Sequence, residues 1–183
     1  MSTEKGAELK IKEAIRSSRL DSSFPKEVMK SHGGEKLLLC YLCGSCAGGC
    51  PVGRLTTSYN PRKIVRMAAL GLKDEVLKSN SLWLCTACFT CTDRCPQGLE
   101  VASIIRVIRN IAAEKGIIPQ VFKELGSTIL ETGLAYKIPE LRLKKREDQK
   151  LPSIPPSNTK AVEKLLEACG FLDLIKAQPR KET

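Results

Sequence analysis

Residues 40–51 read CYLCGSCAGGCP and residues 85–96 read CTACFTCTDRCP, so four cysteines recur at the same offsets and a proline follows each fourth one. Cys40, Cys43, Cys46 and Cys50 map onto Cys85, Cys88, Cys91 and Cys95 with a displacement of 45 residues. Thiols this dense serve disulfides, zinc or an iron–sulfur cluster. The opening stretch, MSTEKGAELKIKEAIRSSRL, is charged throughout and lacks the apolar segment of a secretory signal. That argues for a reducing compartment and against disulfides. Structural zinc sites split their ligands into two separated pairs, which leaves the third cysteine of each run without a role. The C-x2-C-x2-C-x3-C-P run is instead that of iron–sulfur ligation, in which three cysteines wrap one cluster and the fourth serves the other. The expectation is two [4Fe–4S] clusters, one on Cys40, Cys43, Cys46 and Cys95, the other on Cys85, Cys88, Cys91 and Cys50.

The chain has 183 residues, nine cysteines and a formal charge of +10. Eight ligating thiolates and two oxidised cluster cores would lower that charge to about +6. Much of the excess lies in RLKKRED and KAQPRKET. With 4% aromatics and no nucleic-acid-binding module, these charges read as solvated faces and not as a nucleic-acid surface. No apolar run approaches the roughly 18 residues of a membrane span. A cytoplasmic protein is expected.

The segments around the cysteines read as helix, giving an all-α fold. Asn60 and Pro61 form a cap and first turn, followed by Ile64, Val65, Ala68 and Leu72 at helical spacing, with Gly71 near the end. A short helical turn is expected over 74–77. Val101, Ile104, Ile105, Ile108, Ile111 and Ala112 make a long apolar stripe closed by Gly116. Pro119 opens a further helix carrying Val121, Phe122, Leu125 and Ile129. The three prolines of DQKLPSIPPSN mark a linker, and Val162, Leu165, Leu166 and Cys169 line the apolar face of a final helix. Three parts follow: an N-terminal helical arm of low internal stability (1–34, with Leu9, Ile11, Ile15 and Leu20 on one face), a cluster domain (35–135), and a linker with a C-terminal helix (136–183). That helix is too small to fold alone and is expected to anchor a partner, self-docking being the alternative.

No catalytic Ser/His/Asp set, phosphate loop or dinucleotide fingerprint is present, so no catalytic residue is assigned. Cys169 reads as a buried structural thiol, His32 as a lone loop histidine, and Trp83 as a core residue or a cover over the second cluster. The glycines of GSCAGGCPVG serve tight turns or close approach of amides to cluster sulfur.

The two motifs, with NPRKIVRMAALGLKDEVLKSNSLWLC between them, resemble the helical dicluster ferredoxin modules of respiratory and anaerobic enzymes. GEKLLLCYLCGSCAGGCPVG and WLCTACFTCTDRCPQGLEV are most similar to the family of C subunits of the CoB–CoM heterodisulfide reductase of methanogens. The resemblance covers about residues 35–115 and implies an electron-transfer subunit of a soluble oxidoreductase complex. Its implied partners are a flavin-bearing A subunit and a B subunit that reduces the CoM-S-S-CoB disulfide, with a hydrogenase or formate dehydrogenase supplying electrons. The eight cysteines carry the ligand role by that resemblance too. Two alternatives stand beside it. One is the iron–sulfur subunit of a glycolate-oxidase-like or glycerol-3-phosphate-dehydrogenase-like complex. The other is a cluster-based sensor or nucleic-acid-binding protein, which would need an incomplete cluster site and a recognition helix.

Overall fold

A computed structural model describes residues 15–176, and among them all regular structure is helical. In chain order the helices are α1 (Phe24–Met29), α2 (Ser45–Gly48), α3 (Pro51–Leu55), α4 (Pro61–Ala69), α5 (Lys73–Leu77), α6 (Thr90–Asp93), α7 (Val101–Glu114), α8 (Gln120–Thr132), α9 (Glu140–Asp148), α10 (Thr159–Ala168) and α11 (Phe171–Lys176). The N-terminal helix expected from the sequence lies largely outside the described residues. Ile15 and Leu20 of its apolar face are exposed.

Helix α7 is the axis of the fold. Its apolar stripe is buried almost continuously, with Ile104, Ile105 and Ile108 excluded from solvent. Around it pack α1, α4, α5 and α6 together with the 3-10 turn Asn80–Leu84. Helix α4 starts as its sequence dictates: Asn60 Oδ1 accepts the Lys63 amide at 3.1 Å and Pro61 occupies the first turn. It stops three residues before Leu72. Gly71 takes φ +77°, its amide donates to Ala68 O, and the Leu72 amide donates to Met67 O, which closes the helix with a Schellman turn. Leu72 is still buried, but as the residue leading into α5. Gly71 is required for a second reason. A Cβ there would collide with the carbonyl oxygen of Asp21, whose own amide donates to Gly71 O. The same Schellman pattern ends α7 at Gly116.

Two expectations about the chain's outer parts are corrected. The first concerns the arm before residue 35, which joins the core from Phe24 onward. Phe24 and Val28 are wholly buried on α4 and α7, and Lys73 of α5 reaches Glu27 of α1 at 2.6 Å and Asp21, just before α1, at 3.5 Å. The second concerns α8, which packs with α10 and α11 and contributes no buried residue to the core around α7. The C-terminal helices therefore dock on their own chain. Phe171 and Ile175 of α11 lie directly over Gly126 of α8, and Ser157 hydrogen-bonds the Thr132 carbonyl. Trp83 joins this unit to the core, its ring 5.2 Å from that of Phe122. Helix α9 is exposed along nearly its whole length.

Candidate metal centre

The two cysteine runs fold as copies of one another. A 3-10 turn leads into each first cysteine, Leu37–Leu39 before Cys40 and Asn80–Leu84 before Cys85. The chain then enters the left-handed region twice, at Leu42 and Gly44 in the first loop and at Ala87 and Phe89 in the second. Each second left-handed residue starts a single turn of helix, α2 or α6, whose carbonyl ladder repeats residue for residue. Leu42, Ala87 and Phe89 hold this conformation without being glycine, at a cost of about 1–2 kcal/mol each. Such repeated strain belongs to a loop shaped around something it must enclose.

The first loop lines a cavity with Cys40, Cys43 and Cys46, and the fourth thiol on its wall is Cys95, from the second run. It holds about 370 Å3 of empty space, its open mouth included. Tyr41, Arg62, Val65, Gln97 and Leu99 are among the other residues of the wall. At the second loop, buried Tyr59 lies among Cys85, Cys91 and Cys50, the last again from the other run. The two sites adjoin, since α2 packs on α6 and Cys46 and Cys91 are close enough to act on one another electrostatically. A single tetrahedral zinc would draw its sulfurs to about 3.8 Å of one another. Among the described residues no three His, Cys, Asp or Glu side chains gather that way. Thiols spaced around a cavity suit a four-iron body with one ligand per iron.

The thiols divide by environment. Cys43 and Cys88 are exposed and sit below the ordinary thiol range, mainly through the hydroxyls of Ser45 and Thr90. In the thiol form Cys43 donates to Ser45 Oγ at 3.3 Å and Cys88 to Thr90 Oγ1 at 3.5 Å. On ionisation the hydroxyl becomes the donor, which favours the thiolate that iron requires. Burial pushes Cys46 up, with Cys40 next, and pushes Cys91 up to about 11, with Cys85 and Cys46 adding to it. Inner thiolates of that kind need a cation in the site to ionise at neutral pH. Sulfur also accepts backbone amides, Cys50 from Gly53 and Cys85 from Ala87, both at 3.4 Å.

Arg109 and Tyr59 carried no signal in the sequence. Arg109 projects from α7 to donate through Nε to Leu82 O at 2.9 Å and through Nη2 to Cys85 O at 2.7 Å, with its guanidinium 5.7 Å from the Trp83 ring centre. Tyr59 is 3% exposed, and burial, with the neighbouring Cys85 next, holds its hydroxyl protonated well beyond the usual range. The other singled-out residues stand apart from the thiols. His32 is exposed beside Glu35, and Trp83 serves the junction with α8. Cys169, expected to be buried, is exposed at the end of α10, where its Sγ donates to Leu166 O at 3.4 Å.

Duplicated cysteine loops on a helical frame define a helical protein with two [4Fe–4S] clusters, and residues 36–99 match the family described as the 4Fe-4S dicluster domain. The C subunit of the H(2):CoB-CoM heterodisulfide,ferredoxin reductase of Methanothermobacter thermautotrophicus is 35% identical over 88% of this chain and 89% of its own length. Its counterpart in the Ferredoxin:CoB-CoM heterodisulfide reductase of Methanosarcina mazei is 36% identical over 81% of this chain and 94% of its own. For the iron-sulfur C subunit of the CoB--CoM heterodisulfide reductase of Methanopyrus kandleri the figures are 41%, 70% and 66%. The chain belongs to the family of heterodisulfide reductase C subunits, whose named members are parts of an oxidoreductase.

Proposed function

We propose that this chain is the electron-relay subunit of a CoB–CoM heterodisulfide reductase complex, passing electrons between a flavin-bearing subunit and the subunit that reduces the mixed disulfide. The observation that carries the reading is the mixed origin of the first cavity, where Cys95 completes the wall begun by Cys40, Cys43 and Cys46. On that basis Cys40, Cys43, Cys46 and Cys95 hold one [4Fe–4S] cluster and Cys85, Cys88, Cys91 and Cys50 the other. The clusters supply one-electron redox chemistry. The protein's own part is to keep the two sites adjacent, exclude water from Cys91 and shield half-buried Cys46, and fix the thiolates with hydroxyl and amide donors.

Relay without catalysis is supported by what surrounds the thiols. Among the described residues, the polar side chains on the wall of the first cavity are those of Cys, Tyr, Arg and Gln97, with no carboxylate or histidine to move protons to a leaving thiolate. Among the described residues no helix is long and apolar enough to cross a membrane. A hydrogenase or formate dehydrogenase is the proposed source of electrons. Affinity purification under anaerobic conditions should recover the chain with a flavoprotein and a cysteine-rich catalytic partner. It should carry about eight irons and eight sulfides. The isolated loaded chain should not reduce CoM-S-S-CoB with an artificial donor. Turnover by the lone chain, or recovery without either partner, would reject the reading.

A further inference from the structure

Corresponding positions of the two cysteine runs meet where the loops pack on each other. Gly49 and Arg94 are 45 residues apart, and each directly precedes the fourth cysteine of its run, Cys50 or Cys95. Helix α2 packs on α6, and the Arg94 side chain lies across Gly49. A Cβ at Gly49 would stand 2.6 Å from Arg94 Cδ, 3.0 Å from Nη1 and 3.1 Å from Nε. The backbone at this position does not ask for glycine. With φ −89° and ψ −8°, Gly49 occupies the right-handed helical region that any residue adopts. Gly48, one residue earlier, would point a Cβ into open space. The side chain missing at position 49 therefore answers to Arg94. Equivalent positions that face each other leave room for one side chain, and the second run supplies it.

Little else joins the loops directly. Among the described residues, no hydrogen bond runs between residues 40–50 and residues 85–95. Helices α2 and α6 are single turns, too short to hold a spacing by themselves. Arg94 is exposed while Gly49 is buried, so the stem covers the facing backbone and the charged head stays in water.

We infer that Arg94 is a positioning residue, a clasp whose stem, seated on Gly49, fixes the separation of the two clusters and with it the passage of electrons between them. This rests on the crossed ligation proposed above, in which the cysteines that follow Gly49 and Arg94 each serve the opposite site. The passage moves one electron: iron in one cluster is oxidised by one electron as iron in the other is reduced by one. No bond forms or breaks, and no proton moves.

The test is electron paramagnetic resonance of the full chain, loaded with both clusters under anaerobic conditions and fully reduced. Two reduced clusters side by side split each other's signals, and the splitting falls with the cube of their separation. The unmodified chain should show that splitting. Arg94→Ala should lose most of it with iron per chain unchanged, whereas Arg94→Met, which keeps a stem without the charge, should retain it. Gly49→Ala displaces the stem and should lose as much as Arg94→Ala. The two changes together should lose no more than either alone, because both remove one contact. Gly48→Ala should change nothing. If Arg94→Ala does not load iron, Gly49→Ala set against Gly48→Ala decides. A splitting kept in Arg94→Ala or in Gly49→Ala at full loading, a loss in Arg94→Met, losses that add, or no splitting in the unmodified chain overturns the proposal. A failure of the ligation itself would look different: Cys50→Ser would disturb the cluster on the first triad and not the second.

Discussion

At Cys95 the choice between crossed and local ligation becomes a question of which thiol closes which cavity. The backbone brings Cys95 to the wall shared by Cys40, Cys43 and Cys46, while Cys50 acts electrostatically on Tyr59 together with Cys85 and Cys91. Cys95→Ser should therefore disturb the spectrum of the cluster on the first triad, and Cys50→Ser that of the second; each acting on its own run would reject the crossing. The loop backbone gives a second expectation at this scale. Gly44 has φ +88° and its missing Cβ would sit 3.3 Å from the Arg62 guanidinium. Gly44→Ala should lower iron occupancy at the first site only, measured as iron per chain against the unmodified protein. The eight thiols were legible because ligation fixes residue type and spacing in the chain itself. Tyr59 and Arg109 were not, because Arg109 reaches Cys85 across 24 residues of sequence and Tyr and Arg are ordinary residues wherever they occur.

The helices repeat the distinction between local and distant causes. Those with their own start and stop chemistry were readable: Asn60-Pro61 for α4 and Gly116 for α7. The status of α1 was not readable. Its six residues form no stripe, and only contact with α4 and α7 buries Phe24 and Val28. The first turn of α7 shows the same dependence on distant partners, since the Ala102 amide is satisfied by Thr92 Oγ1 at 3.2 Å. Because α7 backs both loops, its core residues should matter to the clusters as well as to stability. Ile108→Ala should cost about 2–5 kcal/mol in denaturant unfolding and reduce cluster retention. A pH effect belongs to the α1 junction. The Asp21 carboxyl is held below its usual range chiefly by the Ser23 hydroxyl and amide, with Lys73 adding to it. A depressed carboxyl stabilises the fold above its unfolded value, near 4, and that contribution disappears as pH falls through the folded value. Asp21→Asn should accordingly flatten the acid limb of the stability profile below about pH 4, and an unchanged limb would remove Asp21 from that account.

For the whole molecule, the division into a cluster body and a C-terminal unit sets what can be removed. The buried core around α7 includes no residue of α8, α9, α10 or α11, while α8, α10 and α11 hold one another. A chain ending after Pro156 loses α10 and α11 and uncovers Gly126 and the faces of Phe122, Leu125 and Ile129 that line the groove beneath α11. The apolar face of α8 then loses its cover, which at ~25 cal/mol per Å2 weakens α8 without touching the loops. Both clusters should survive, with iron and sulfide per chain unchanged. Complex assembly should nevertheless weaken, because a partner that grips the C-terminal unit would find α8 without its supports. A milder change separates support from direct contact. Gly126→Leu would displace Phe171 and Ile175, whose nearest atoms lie 3.1 and 2.8 Å from a Cβ at that position, yet leave Leu165, 69% exposed on α10, in the chain. If Gly126→Leu weakens co-purification as much as truncation does, the packed arrangement of the unit is what the partner reads. Truncation that strips the clusters but spares assembly would instead make α10 and α11 part of the cluster body, against the separation of the two cores.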